Sequence, residues 1–347
     1  MTPSSKSRFR QRQRFGLVLA SLLISSALSL FPSSAQSDAP LGSGKGERVI
    51  LLGGTFAERL QYFGYFEALL SRHESERDLI VRNMAWPGDE VALMPRPYNF
   101  VISAGTGVED DPDPGYGFSF ESDADHETLM AHLQAQQADT ILLCFGANEA
   151  FKGKAGLAKF TANYQVLIEH LSQKKFNGKT APRLILVSPI AQEKRGAPYP
   201  DPSGQNKNLK IYTQQIGEIA KKNELRFVDL FAASVSQMKT SRDQPLTIDG
   251  SQLNAHGQKI VAEILATGLG MTDPWSDELE EIRKLIVEKN KQFFFRWRPI
   301  NGEYVYGRRR DPFGVISYPP EMAQWDKMII ALEQKIHSAA KKLKPSK

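Results

Sequence analysis

Five apolar runs with strand composition recur along the chain: "RVILLGG" (48–54), "DLIVRNMAW" (78–86), "DTILLCFG" (139–146), "RLILVSPI" (183–190) and "LRFVDLF" (225–231). Each is nearly continuous rather than alternating, as parallel strands covered on both faces require. Helical patterns lie between them. "AERLQYFGYFEALLSRH" follows the first run, "DHETLMAHLQAQQ" precedes the third, "LAKFTANYQVLIEHLSQKKF" follows it, and "NKNLKIYTQQIGEIAKKN" precedes the fifth. A last helix, "NAHGQKIVAEILATGL", closes the alternation near Gly270. Repeated β-α units with right-handed crossovers predict an α/β fold, a three-layer α/β/α sandwich on a five-stranded parallel sheet.

The N-terminus stands outside this pattern. Lys6, Arg8, Arg10, Arg12 and Arg14 precede an apolar run from Gly16 to Phe31, and "SSA" (33–35) supplies small residues for cleavage. This is the pattern of a Sec-type signal peptide over residues 1–35, followed by a linker at 36–46. The chain is therefore expected to be secreted or periplasmic, with an uncleaved N-terminal membrane anchor as the alternative. The apolar run is short against the roughly 20 residues of a membrane span.

Removing that segment changes the charge. The full chain has 44 Lys+Arg against 39 Asp+Glu, and all five basic residues of 1–35 leave with it, so the remainder is 39 against 39. A nucleic-acid partner calls for a basic footprint in the domain itself, and no net excess remains. Cys144 is the only cysteine and cannot form an internal disulfide; its place in "TILLCFG" predicts a buried strand position.

Two regions depart from the alternation. Residues 93–122 are rich in Pro, Gly and Asp and read as a long surface loop. The loop's "EDDPDPG" lacks an EF-hand spacing, and nothing in the sequence calls for a metal or a cofactor. Beyond the core at 47–270, residues 271–347 form an extension. A charged helix "DELEEIRKLIVEKNKQFFFRWRP" leads to "NGEYVYGRRRDPFG", read as a hairpin or extended arm, and then to the helix "PPEMAQWDKMIIALEQKIHSAAKKL". From residue 276 on, this tail holds 15 Lys+Arg against 10 Asp+Glu. Trp297, Phe293 and Tyr304 are expected to pin it to the core; a docking surface for an envelope polymer or protein is the alternative.

Ligands of open parallel sheets bind beyond the carboxyl ends of the strands. The distinctive polar residues fall there: "GGTF" (53–56), "NMAWPGDE" (83–90), "FGANEAF" (145–151) and "SPI" (188–190), with "TIDGSQLNAHG" (247–257) before the closing helix. In order and spacing this set resembles the SGNH/GDSL hydrolase family over about residues 47–270. The resemblance implies a flavodoxin-like sheet and an esterase-type site without a cofactor. Thr55 falls at the nucleophile position, with Gly54 where the family has Asp. Gly88 and Asn148 match the oxyanion-hole donors, and Asp249 matches the triad carboxylate. Gln252 falls where the general-base His belongs.

A threonine hydroxyl acts as a nucleophile when a base activates it. A carboxamide accepts no proton near neutral pH, so Gln252 is no base. His256, about one helical turn further on, is the candidate substitute base, with a solvated or capping-turn role as the alternative. Arg59 offers a cation to an anionic group in the cleft; a salt bridge to Glu58 or to the sheet edge is its more ordinary use. Asp89 and Glu149 either line the cleft or anchor its loops, and Ser188 borders it. Two readings follow: ester hydrolysis on a small ester or acylated carbohydrate, weak or altered, or a catalytically inactive relative that binds such a ligand in the residual cleft.

Overall fold

The computed structural model describes residues 41, 44–93, 96, 129–241, 243–306 and 310–343. The residues of the signal-peptide expectation and most of the 93–122 loop lie outside them. Among the described residues no helix is long and apolar enough to cross a membrane.

Five parallel strands form one sheet in the order β2-β1-β3-β4-β5: β1 (Arg48–Gly53), β2 (Ile80–Asn83), β3 (Thr140–Cys144), β4 (Arg183–Val187) and β5 (Arg226–Val228). The continuous apolar runs now have a reason. Ile50, Leu52, Ile141, Leu143, Leu184 and Leu186 enter the core on one face. Their neighbours Val49, Leu51, Leu142, Ile185 and Val187 enter the core on the other, so both side-chain sets of each strand are covered.

The helices are α1 (Thr55–Phe63), α2 (Tyr65–His73), α3 (Leu129–Ala135), α4 (Leu157–Ser172), α5 (Ser203–Lys222), α6 (Leu230–Thr240), α7 (Ala255–Gly268), α8 (Glu280–Trp297), the short α9 (Gly302–Val305) and α10 (Val315–Ala340). They correct the sequence reading at three places. The single helix expected after β1 is two, because Gly64 takes φ +70 and its N–H caps α1 on the Leu60 carbonyl. The fifth run is strand only to Val228; Asp229 then accepts from the Ala232 N–H and starts α6. The expected hairpin or arm at 301–314 holds helical turns where it is described, and α10 begins at Val315, ahead of Pro319 and Pro320.

The extension supplies part of both cores. Phe293, Trp297 and Tyr306 join one face, and Ile282, Ile286 and Ile336 the other. Tyr306, rather than Tyr304, is the buried tyrosine. Polar links reinforce this packing. Lys289, fully buried, meets Glu67 of α2 at 2.5 Å and donates to the Val81 carbonyl at 3.0 Å. Asn290 donates to the other Glu67 oxygen at 3.1 Å, and Arg82 of β2 pairs with Glu333 of α10.

Candidate active site

The strand ends meet in a cleft of about 230 Å³ whose walls include Thr55, Gly88, Asn148, Gln252 and Arg59. Gly54, Asp89 and Ser188 line it too. Its apolar lining comes from Phe56, Phe145, Phe151, Ile190, Leu209 and Leu253. The cleft lies where β1 and β3 run side by side while their connections leave in opposite directions, the place at which such sheets bind ligands.

Thr55 is the first residue of α1, following a tight junction in which the Gly54 N–H donates to the Cys144 carbonyl at 3.2 Å. A Cβ on Gly54 would stand 3.2 Å from the Asp89 carbonyl oxygen, so a side chain here requires the neighbouring loop to give way. That loop carries Gly88, whose φ of +70 favours glycine. Its N–H donates to the Thr55 hydroxyl at 2.9 Å.

The β2 loop is held from several sides. Asp89 and Arg96 form an ion pair at 2.7 Å with both side chains fully buried. Burial raises the Asp89 carboxyl to about 6, against the lowering pull of Arg96. Arg298 of the extension places its guanidinium carbon 3.4 Å from the centroid of Trp86, two residues before Gly88. Glu149 ties this loop to the β3 loop: its carboxylate accepts from Val91 N–H at 2.8 Å and Gly146 N–H at 3.0 Å. Burial raises its carboxyl to about 7, against the pull of those N–H groups. Glu149 is thus an anchor of the loops.

Asn148 donates to Glu90 at 3.0 Å, and Lys152 reaches the other oxygen of Glu90 at 3.0 Å. The carboxamide nitrogen has two hydrogens, so holding one on Glu90 leaves a second for a ligand oxygen. The sequence reading did not connect Glu90 to the site. Its place two residues after Gly88 was the available signal.

Asp249 organises its own loop. One oxygen accepts from Gln252 N–H at 2.7 Å, Ser251 N–H at 2.8 Å and the Ser251 hydroxyl at 3.0 Å. Burial would raise its carboxyl, yet those donors hold it below the ordinary carboxylate range. Gln252 lines the cleft, while His256 stands in the first turn of α7 and is not among the cleft residues. Among the described residues no imidazole hydrogen-bonds the Thr55 hydroxyl.

Arg59 departs from the expected Glu58 salt bridge. It donates to the Leu253 carbonyl at 3.4 Å and lies over Phe63, while the Glu58 carboxylate takes Gln61 and Tyr62. The Ser188 hydroxyl accepts from Phe231 N–H at 3.0 Å and donates to the Pro189 carbonyl at 3.1 Å, which fixes the wall behind β4. No group of three or more possible metal ligands is found among the described residues.

The sheet order β2-β1-β3-β4-β5 is that of a flavodoxin-like three-layer α/β/α sandwich, the fold that the SGNH/GDSL resemblance implies. No protein-family model and no curated protein matches the chain. Solved structures with a similar course include a GDSL-like lipase from Parabacteroides merdae, at a TM-score of 0.48 and 12% identity over 67% of this chain and 99% of that one. The acetylxylan esterase Axe2 from Geobacillus stearothermophilus aligns at a TM-score of 0.43 and 17% identity, over 65% of this chain and 95% of its own. A gut microbial diltiazem-metabolizing enzyme aligns at 0.46 and 13%, over 66% of this chain, which spans only 48% of that protein. These likenesses concern the course of the backbone and carry no weight for activity.

Proposed function

We propose that the chain is an exported, SGNH/GDSL-type hydrolase-like protein whose cleft takes an acyl or carbohydrate ester. The observation that carries this reading is the convergence of Thr55, Gly88, Asn148 and Gln252 in one small, mostly apolar cleft. The ester carbonyl lies against Thr55 with its oxygen toward the free Asn148 hydrogen and the Gly88 N–H, which turns from the Thr55 hydroxyl to the carbonyl oxygen, so that both donors stabilise the charge of a tetrahedral intermediate. The Thr55 oxygen adds to the acyl carbon to give that intermediate, whose collapse re-forms the carbonyl and breaks the bond to the alcohol oxygen. Its proton reaches the departing alcohol through solvent, and water then cleaves the acyl–threonine ester. With Gln252 in the base position turnover is slow, because a positioned base contributes about 10²–10⁴-fold.

A second reading is a binding protein that holds the same class of ligand without turning it over. The Thr55 hydroxyl favours it by accepting from Gly88 while no described imidazole faces it. Hydrolysis of a short-chain acyl ester by the wild-type chain and by Thr55→Ala separates the two. Slow turnover that falls to background in Thr55→Ala supports the hydrolase reading; wild-type turnover no faster than Thr55→Ala supports binding alone.

A further inference from the structure

Next to the acyl cleft, and sharing Ala191 and Gln192 with it, lies a second cavity of about 580 Å³. Its lining differs in kind. Lys194, Arg195 and Lys239 supply three cations, with Ser203 and Asn206 as neutral polar partners.

The nearby acids offset those charges only in part. Glu193 borders the cavity, and its carboxylate accepts from the Leu246 and Thr247 N–H groups, at 3.0 and 2.9 Å, and from the Thr247 hydroxyl, rather than from the three cations. Lys194 meets Asp201 at 3.3 Å with both side chains more than half exposed, an arrangement worth little in water. Among the described residues neither Arg195 nor Lys239 pairs with a carboxylate, and the buried Nε of Arg195 has no acceptor. The shared residue Gln192 is held in place: Asn206 accepts from its N–H and donates to its carbonyl, both at 2.8 Å.

We propose that this cavity is the subsite for the alcohol part of the ester, an oligosaccharide bearing carboxylate or sulfate groups. The proposal rests on the ester-site reading above and divides the ligand by chemistry. The small apolar cleft suits a short acyl group. The larger cationic cavity suits an anionic, hydroxyl-rich group, because the guanidinium fork of Arg195 matches planar and tetrahedral oxyanions and the two lysines add charge.

The test is calorimetric titration of the full chain with three tetrasaccharides: tetragalacturonate, a sulfated cellotetraose and neutral cellotetraose. At least one charged probe is expected to bind tenfold or more tightly than the neutral one, and which one does so separates carboxylate from sulfate. Lys194→Ala combined with Lys239→Ala, or Arg195→Gln alone, is expected to cut that affinity at least fivefold with the urea midpoint unchanged. Thr55→Ala is expected to retain it. Equal affinity for all three probes, no binding of either charged probe, or unchanged affinity in both the double variant and Arg195→Gln overturns the proposal. Because Thr55→Ala is scored separately on ester turnover, failure of the ester reading and failure of the subsite give different patterns.

Discussion

The backbone N–H of Gly88 donates to the hydroxyl of Thr55 at 2.9 Å, joining the two strand-end loops that an ester would have to enter between. The hydroxyl acts as acceptor in this bond and its own proton has no described base to go to. The donor nearest the nucleophile position is in place, while no imidazole meets the hydroxyl among the described residues.

Gly88→Ala tests the backbone side of this relationship. A Cβ at Gly88 meets nothing within 4 Å, so its cost is conformational and arises from the φ of +70. The left-handed region costs a residue with a Cβ about 1–2 kcal/mol. Urea denaturation should show a loss of that order for Gly88→Ala and a smaller one for Gly88→Asn.

Glu149 sets a pH dependence. Its folded-state carboxyl lies at about 7 against an ordinary carboxylate value, so the native state binds the proton more tightly than the unfolded chain. The associated stability is whole below the unfolded pKa of about 4 and is lost as pH rises to about 7, a change of about 4 kcal/mol. Asp89, raised to about 6, acts in the same direction. Urea midpoints taken from pH 4.5 to 7.5 should fall, and Glu149→Gln should flatten the slope without abolishing it.

The extension is expected to be inseparable from the core. Lys289→Ala leaves Glu67 without its buried partner, a change that typically costs about 3–5 kcal/mol. Replacing both, as Lys289→Met with Glu67→Gln, should recover most of that loss in urea denaturation. A chain ending at residue 275 removes Ile282, Ile286, Phe293 and Trp297 from the two cores and should lose cooperative unfolding by circular dichroism.

The placement of Thr55, Gly88, Asn148 and Gln252 was legible in the sequence because each follows a strand or precedes the last helix, and parallel strands bring their carboxyl ends to one edge of the sheet. What those side chains bond to was not legible. Asp249 turns inward on its own loop, Asn148 is held by Glu90, and Arg59 bonds to a carbonyl 194 residues away. Such choices depend on distances of a few tenths of an ångström between segments far apart in sequence. Gly64 was hidden for a local reason: apolar residues continue on both sides of it, so one helical pattern covered two helices. The stacking of Arg298 on Trp86 depends on where the extension docks, which no periodicity in 271–347 encodes.

The most direct measurement is turnover of a short-chain acyl ester by the wild-type chain and by the double variant Thr55→Ser with Gln252→His. Restoring an imidazole beside an unhindered hydroxyl should raise the rate by at least about 10²-fold over the wild type. A double variant no faster than the wild type would contradict the assignment of Gln252 as the residue standing in the base position.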